Sequence, residues 1–238
     1  MMPHRKKSRI YLRSGTLELG QRTLVMGVLN VTPDSFSDGA KYFRVADAVK
    51  AALALQRAGA DILDIGAEST RPGSTGVSES EELARLLPVL HALRGRLKIP
   101  ISVDTQKATV AETALNAGAE IVNDISGLRN DPRIAEVAAR SGATLILMHM
   151  RGTPRTMQKG PFAKDVLRDV KSGLRRSVKF ARRAGVRKSQ IILDPGIGFG
   201  KSLEQNYELM ARLPELARLG YPLKSASGVQ RQASPQAF

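Results

Sequence analysis

Cysteine and tryptophan are both absent from this chain of 238 residues, and aromatic residues make up only 4% of it. Without cysteine there is no disulfide and no thiolate metal site, so any metal must be held by oxygen or imidazole, as suits a hard cation such as magnesium. Scarce aromatics leave few platforms for stacking unpaired bases, and no zinc-finger or RNA-recognition pattern is present. That bears on the charge, because 37 Lys and Arg against 22 Asp and Glu give a net +15. Such a balance attracts anionic ligands of any kind. Many of the basic residues fall in Met1 to Arg13 and in Ala163 to Ala184, where they read as a tail and a solvated helix face, and a nucleic-acid partner is not expected. No apolar run approaches the roughly 18 to 20 residues that cross a bilayer, and the basic N-terminus is not followed by a signal-peptide apolar stretch. The default expectation is a cytoplasmic protein with no membrane partner.

What is present, 42% hydrophobic and 25% charged residues, suits one large α/β domain or two small ones. Residues 1–9 read as a basic tail. Ile10 to Leu12 and Thr16 to Leu19, separated by Arg13-Ser14-Gly15, read as a β-hairpin. A repeated cadence follows. Leu24 to Leu29 is a continuous apolar run of the kind found in strands buried on both faces, and the Thr-Pro-Asp-Ser after it ends the strand in a turn. Val45 to Ala58 is an Ala- and Leu-rich helix stopping at Gly59, with a strand from Asp61 to Ile65. The same phrase returns at Ala117-Gly118-Ala119 and at Ser141-Gly142-Ala143. The spacing predicts strands near 24–29, 61–65, 99–103, 120–122, 143–148 and 190–193.

Six strands fit an open doubly wound sheet, but its first β/α turn should carry a Gly-x-Gly-x-x-Gly cradle, and none occurs between Asn30 and Ser37. Instead nearly every strand ends in a polar residue: Asn30, Asp64, Asp104, Asn123 with Asp124, His149 and Asp194. Polar groups delivered to one rim by many strand ends are the mark of a (β/α)8 TIM barrel, whose active sites gather there. Asp104, Asn123 and Asp194 would converge from three strands and offer acceptors and an amide to a flat, amide-like heterocycle. Taken singly, Asp104, Asp124 and Ser126 read as well as helix or turn caps, and Arg71 as a surface charge rather than an anion fork. Gly196-Ile197-Gly198-Phe199-Gly200-Lys201-Ser202 resembles a phosphate-binding loop, but Pro195 stands where the first glycine should, so the segment reads as a strand-to-helix turn. His149 has no second imidazole or thiol nearby and reads as a hydrogen-bonded structural residue.

Five segments together closely resemble the dihydropteroate synthase family. They are Asn30 to Gly39 (NVTPDSFSDG), Glu68 to Gly73 (ESTRPG), Ser102 to Thr105 (SVDT), Asn123 to Gly127 (NDISG) and Asp194 to Lys201 (DPGIGFGK). The resemblance covers residues 10–223. It implies a pterin-binding TIM barrel that condenses 6-hydroxymethyl-7,8-dihydropterin pyrophosphate with 4-aminobenzoate, giving 7,8-dihydropteroate and pyrophosphate in folate biosynthesis, in a family that sulfonamides inhibit. It also implies roles. Asn30 would ligate magnesium on the pyrophosphate, and Thr70 and Arg71 would hold its anionic groups. Asp104, Asn123 and Asp194 would hydrogen-bond the pterin, with Ile125 and Met148 against its ring. Phe36 and Pro72 would help enclose the aminobenzoate. The family is usually homodimeric.

The pattern fails after Leu223. The family would continue into a seventh strand ending in Ser-Arg-Lys and an eighth carrying Arg-x-His, the Lys for the pterin and the Arg and His for the pyrophosphate. Lys224 to Phe238 (KSASGVQRQASPQAF) is polar and too short for two β/α units of roughly 30 residues each. The expectation is a truncated or frame-shifted member with about six β/α units, residues 224–238 forming an atypical tail. Two other readings stand beside it: a methyltetrahydrofolate-binding methyltransferase domain, and a non-catalytic pterin-binding remnant.

Overall fold

The computed structural model describes residues 7–32, 45–69, 74, 76–157 and 160–225. Two antiparallel strands, β1 (Ser8–Leu12) and β2 (Gly15–Leu19), form the expected hairpin. The main sheet contains β3 (Met26–Asn30), β4 (Ile62–Gly66), β5 (Ile101–Asp104), β6 (Ile121–Asp124), β7 (Thr144–Met148) and β8 (Ile191–Asp194), all parallel and each paired with its neighbours in sequence. This order settles the ambiguity that six strands left. A doubly wound sheet reverses direction at a switch point, whereas this one winds one way throughout, as a barrel does.

The crossovers are helical: α1 (Val45–Arg57), α2 (Glu79–Leu93), α3 (Ala108–Asn116), α4 (Arg133–Ser141) and α5 (Val166–Arg183), followed after β8 by α6 (Leu203–Ala211) and α7 (Leu213–Ala217). Gly118 and Gly142 have φ of +116° and +72°. The chain leaves its helix there through a left-handed turn that a side chain would strain, which is why the Ala-Gly-Ala and Ser-Gly-Ala phrases mark the unit boundaries. Every residue of β4, β6, β7 and β8 is buried, as expected for strands covered on both faces.

Alternation divides the core in two. Leu63, Ile65, Val103, Val122, Leu145 and Leu193 face outward and pack with the helices, against residues such as Leu86, Leu90, Val110, Ile134 and Leu174. Ile62, Ile121 and Ile192 near the N-terminal ends of their strands, and Ile146 in the middle of β7, face inward, where Ile10 of the hairpin, with Leu12, Leu17 and Leu19, plugs the barrel floor.

Among the described residues the barrel is open on one side. Among the described residues neither β3 nor β8 pairs with the other, and only a single parallel bridge, Leu193 to Leu223, extends the sheet beyond β8. Val25 and Val28, at the β3 margin, are 53% and 58% exposed.

Candidate active site

Strand register builds the site. Asn30 pairs with Gly66, Gly66 with Asp104 and Asp104 with Asn123, so one line across four strands carries an amide, a gap, a carboxylate and a second amide. The gap is Gly66. A Cβ placed on it would lie 3.6 Å from both Asn30 Oδ1 and Asp104 Oδ2, so the missing side chain keeps the space between those two groups open. Asn30 is exposed, Asp104 is half-buried, and Asn123 and Asp194 are buried.

Asp64, one of the polar strand residues, joins this set. It is buried on β4, and Asn123 Nδ2 donates to its Oδ2 at 2.9 Å. Asp64 Oδ1 and Asn123 Oδ1 have no hydrogen-bond partner. Buried oxygens are rarely left so, and these two call for a ligand bearing N–H donors. Burial first, and then the neighbouring Asp64, push the Asp104 carboxyl well above the usual carboxylate range. This end of the barrel therefore favours a donor-rich or cationic group beside its carboxylates.

At the end of β8, Asp194 Oδ1 accepts from Gly196 N at 2.7 Å and Oδ2 accepts from Lys224 Nζ at 2.8 Å. Gly196 has φ of +67°, and a Cβ there would meet His149 O at 2.0 Å, so this turn closes only with glycine. The Lys201 ammonium is buried, donating to His149 O, Gly196 O and Phe199 O at 3.1, 2.8 and 2.9 Å. Burial lowers its pKa to about 8, partly offset by Asp194. Its donors being spent on backbone carbonyls, Lys201 pins the turn and is not a phosphate ligand. Ile125, Met148, Met150 and Met157 form a buried apolar cluster with Phe199 packed on it. Since Met148 pairs in register with Asp194, this cluster supplies an apolar wall next to the acceptor.

The cap readings divide. Asp124 is a turn cap, its Oδ1 accepting from Ser126 N at 2.8 Å and its Oδ2 from Leu128 N at 2.6 Å. Asp104 is not a cap, because the first turn of α3 is capped instead by Asp131, whose Oδ2 accepts from Ala108 N at 2.9 Å. His149 is a buried residue whose Nε2 lies 3.5 Å from Asp169 Oδ2. Burial, and then the cations Lys201, Arg129, Arg176 and Arg151, hold its pKa down to about 3, so it is neutral at physiological pH.

The loop after β4 is braced at its roots. Lys107 binds both Glu68 and the fully buried Glu82, Arg85 donates to Ala67 O at 3.0 Å, and Ser74 Oγ donates to Ser69 O at 2.7 Å. Burial alone would lower the Lys107 pKa, but the two glutamates outweigh it and hold it above the usual value. Thr70, Arg71 and Pro72 of this loop, and Phe36 of the loop after β3, lie outside the described residues. Among the described residues no group of three or more His, Asp or Glu side chains is placed to hold a metal, and no helix is long and apolar enough to cross a membrane.

Three contributors escaped the sequence reading. Asp64 was legible as a polar strand residue and lies two positions from the inward Ile62, so alternation alone places it on the inner face. Phe199 sat in a segment read as a strand-to-helix turn and as a family motif, with no role given to Phe199 itself. Lys224 was passed over because the sequence reading ended the resemblance at residue 223, whereas the family match continues to 232.

Comparisons with known proteins agree with this geometry. Residues 26–232 match the family described as "Pterin binding enzyme". Dihydropteroate synthase of Synechocystis sp. is 52% identical over 204 residues, covering 86% of this chain and 71% of the relative. Among solved structures, Xanthomonas albilineans dihydropteroate synthase with 4-aminobenzoic acid superposes with a TM-score of 0.87 at 41% identity, covering 95% of this chain and 80% of that one. Yersinia pestis dihydropteroate synthase in complex with a sulfonamide drug gives a TM-score of 0.85 at 44% identity, covering 92% and 78%. The one-way parallel sheet, the line of polar groups on its inner face and these likenesses lead to the same conclusion: the chain belongs to the dihydropteroate synthases, a family of pterin-binding enzymes.

Proposed function

We propose that the C-terminal rim of this sheet binds a pterin between Asp64, Asp104, Asn123 and Asp194 and serves the family reaction, the condensation of 6-hydroxymethyl-7,8-dihydropterin pyrophosphate with 4-aminobenzoate. The observation that carries this reading is the pair of buried acceptors without partners, Asp64 Oδ1 and Asn123 Oδ1, beside two further carboxylates. A pterin presents ring and exocyclic N–H donors along one edge and a flat apolar face. The carboxylates and amide suit the edge, and Ile125, Met148 and Phe199 suit the face.

In the reaction the C–O bond to pyrophosphate breaks, the arylamine nitrogen forms a bond to the methylene carbon, and the amine gives up a proton. As pyrophosphate leaves, positive charge grows on the methylene carbon conjugated to the pterin, and fixed carboxylates at the pocket are placed to stabilise it. No covalent nucleophile is required. The protein contributes position and electrostatics.

Asn30 is the described residue suited to a magnesium ion on the pyrophosphate. Its Oδ1 is an exposed hard oxygen facing the opening over Gly66, and magnesium commonly takes only one or two protein oxygens besides phosphate and water. When bound, the ion would neutralise charge accumulating on the leaving group. Thr70 and Arg71, which follow Ser69 in the chain, are assigned to the same anion, and Phe36 and Pro72 to the aminobenzoate, on family grounds. A homodimer is proposed on family grounds.

Calorimetry with 6-hydroxymethylpterin tests the site. Alanine at Asp104 or Asn123 should lower affinity by about 1 to 3 kcal/mol, the cost of leaving a buried partner unpaired. Unchanged affinity in both variants would sink the assignment. Asn30→Ala should weaken magnesium-dependent pyrophosphate binding and leave the pterin that lacks pyrophosphate unaffected.

A further inference from the structure

Lys224 follows the last of the five motifs, inside a family match that runs on to residue 232, and its placement is specific. Leu193 N donates to Pro222 O at 2.9 Å and Lys224 N donates to Leu193 O at 2.8 Å, so the backbone of 222–224 is zipped onto β8. Leu223 packs against the core between sheet and helices. On an extended segment the next side chain takes the opposite face, which here is the inner face bearing Asp194. The ammonium accordingly lies 2.8 Å from Asp194 Oδ2, with the lysine side chain 22% exposed and that of the aspartate 2%. Burial alone would disfavour the charge, but Asp194 and then Asp64 outweigh it and hold the lysine above its usual pKa.

From this geometry we propose that Lys224 is an intramolecular competitor for the pterin: its ammonium occupies the Asp194 oxygen to which the N–H edge of the heterocycle would donate. The proposal rests on Asp194 being a pterin acceptor. Both Asp194 oxygens are engaged, Oδ1 by Gly196 N and Oδ2 by Lys224, whereas Asp64 and Asn123 keep free acceptor atoms. The pocket is thus half prepared for a ligand and half filled by the chain itself. A pterin entering it must break an ion pair inside a poorly solvated site, and that cost subtracts from its affinity.

The test compares the full chain with Lys224→Met and Lys224→Gln by calorimetry with 6-hydroxymethylpterin at pH 7. Both variants should bind the pterin at least tenfold more tightly than the parent. Unchanged or weaker binding overturns the proposal and makes Lys224 a spectator or a pterin ligand. A second readout needs no variant: acetylation of the parent protein, followed by mass spectrometry, should find Lys224 protected in the free protein and more reactive once the pterin is bound. Equal or lower reactivity with pterin also overturns it. Absence of pterin binding in parent and variants alike would remove the reading of Asp194 on which the proposal stands; equal binding in all of them removes only the competitor.

Discussion

The inner face of the sheet has two ends that differ by two residues. Ile62 is followed at that spacing by Asp64, Ile121 by Asn123 and Ile192 by Asp194. At the isoleucine end Ile62, Ile121, Ile146 and Ile192 pack on Ile10 of the hairpin, with only the small hydroxyl side chains of Ser102 and Thr144 buried among them. At the other end the side chains are carboxylates and an amide, Asp64 and Asn123 each keep an oxygen without a partner, and burial and Asp64 hold the Asp104 carboxyl well above its ordinary pKa. The same strands therefore store stability at one end and chemical potential at the other. A barrel can be altered at its rim without losing its floor.

That comparison breaks most forcibly from below. Ile121→Ala removes a fully buried side chain from the floor and should cost about 2 to 5 kcal/mol in urea denaturation, while the fraction still folded binds pterin with parental affinity. A loss of affinity without a loss of stability would show that the two ends are not separate.

Smaller, and at the rim, is the effect of His149. Its folded pKa of about 3 lies below its ordinary 6.5. The unfolded chain therefore takes up the proton first, and stability is lost as pH falls from about 6.5 toward 3. Between pH 7 and 5 this amounts to about 2 kcal/mol. His149→Gln should be flatter than the parent by that amount over the same interval, in melts followed by circular dichroism; identical slopes would place the titration elsewhere.

The smallest effect sharpens the comparison. The Asp104 carboxyl is raised by burial and by Asp64, so its contribution is most favourable at low pH and is lost as pH rises through its folded pKa. At neutral pH Asp104→Asn should therefore raise stability while weakening pterin binding, a gain made at the expense of the site. If the variant is less stable, the carboxylate is more than a ligand-binding group.

Much of this was legible in the sequence because it is local. An apolar run that turns polar at its last residue places both a strand and a rim position, and the glycines at 118 and 142 mark where one unit ends. What was illegible depends on contacts distant along the chain. Nothing near Asp104 tells a site carboxylate from a helix cap; the matter is decided by Asp131, which reaches back 23 residues to Ala108. Lys224 acquires meaning only once Leu223 is paired with β8, because pairing fixes which face the lysine takes. Arg71 and Phe36 rest on resemblance alone, as they lie outside the described residues.

The open margin of β3 has a practical consequence. Among the described residues the outer edge of β3 has no pairing strand, and backbone groups at such an edge, beside exposed Val25 and Val28, can accept a strand from another chain. Encounters between two such edges scale with the square of protein concentration, so loss of soluble material should accelerate steeply as a preparation is concentrated. Apolar association weakens on cooling, so chilling slows the loss, but dilution acts on the encounter itself and is the better preservative.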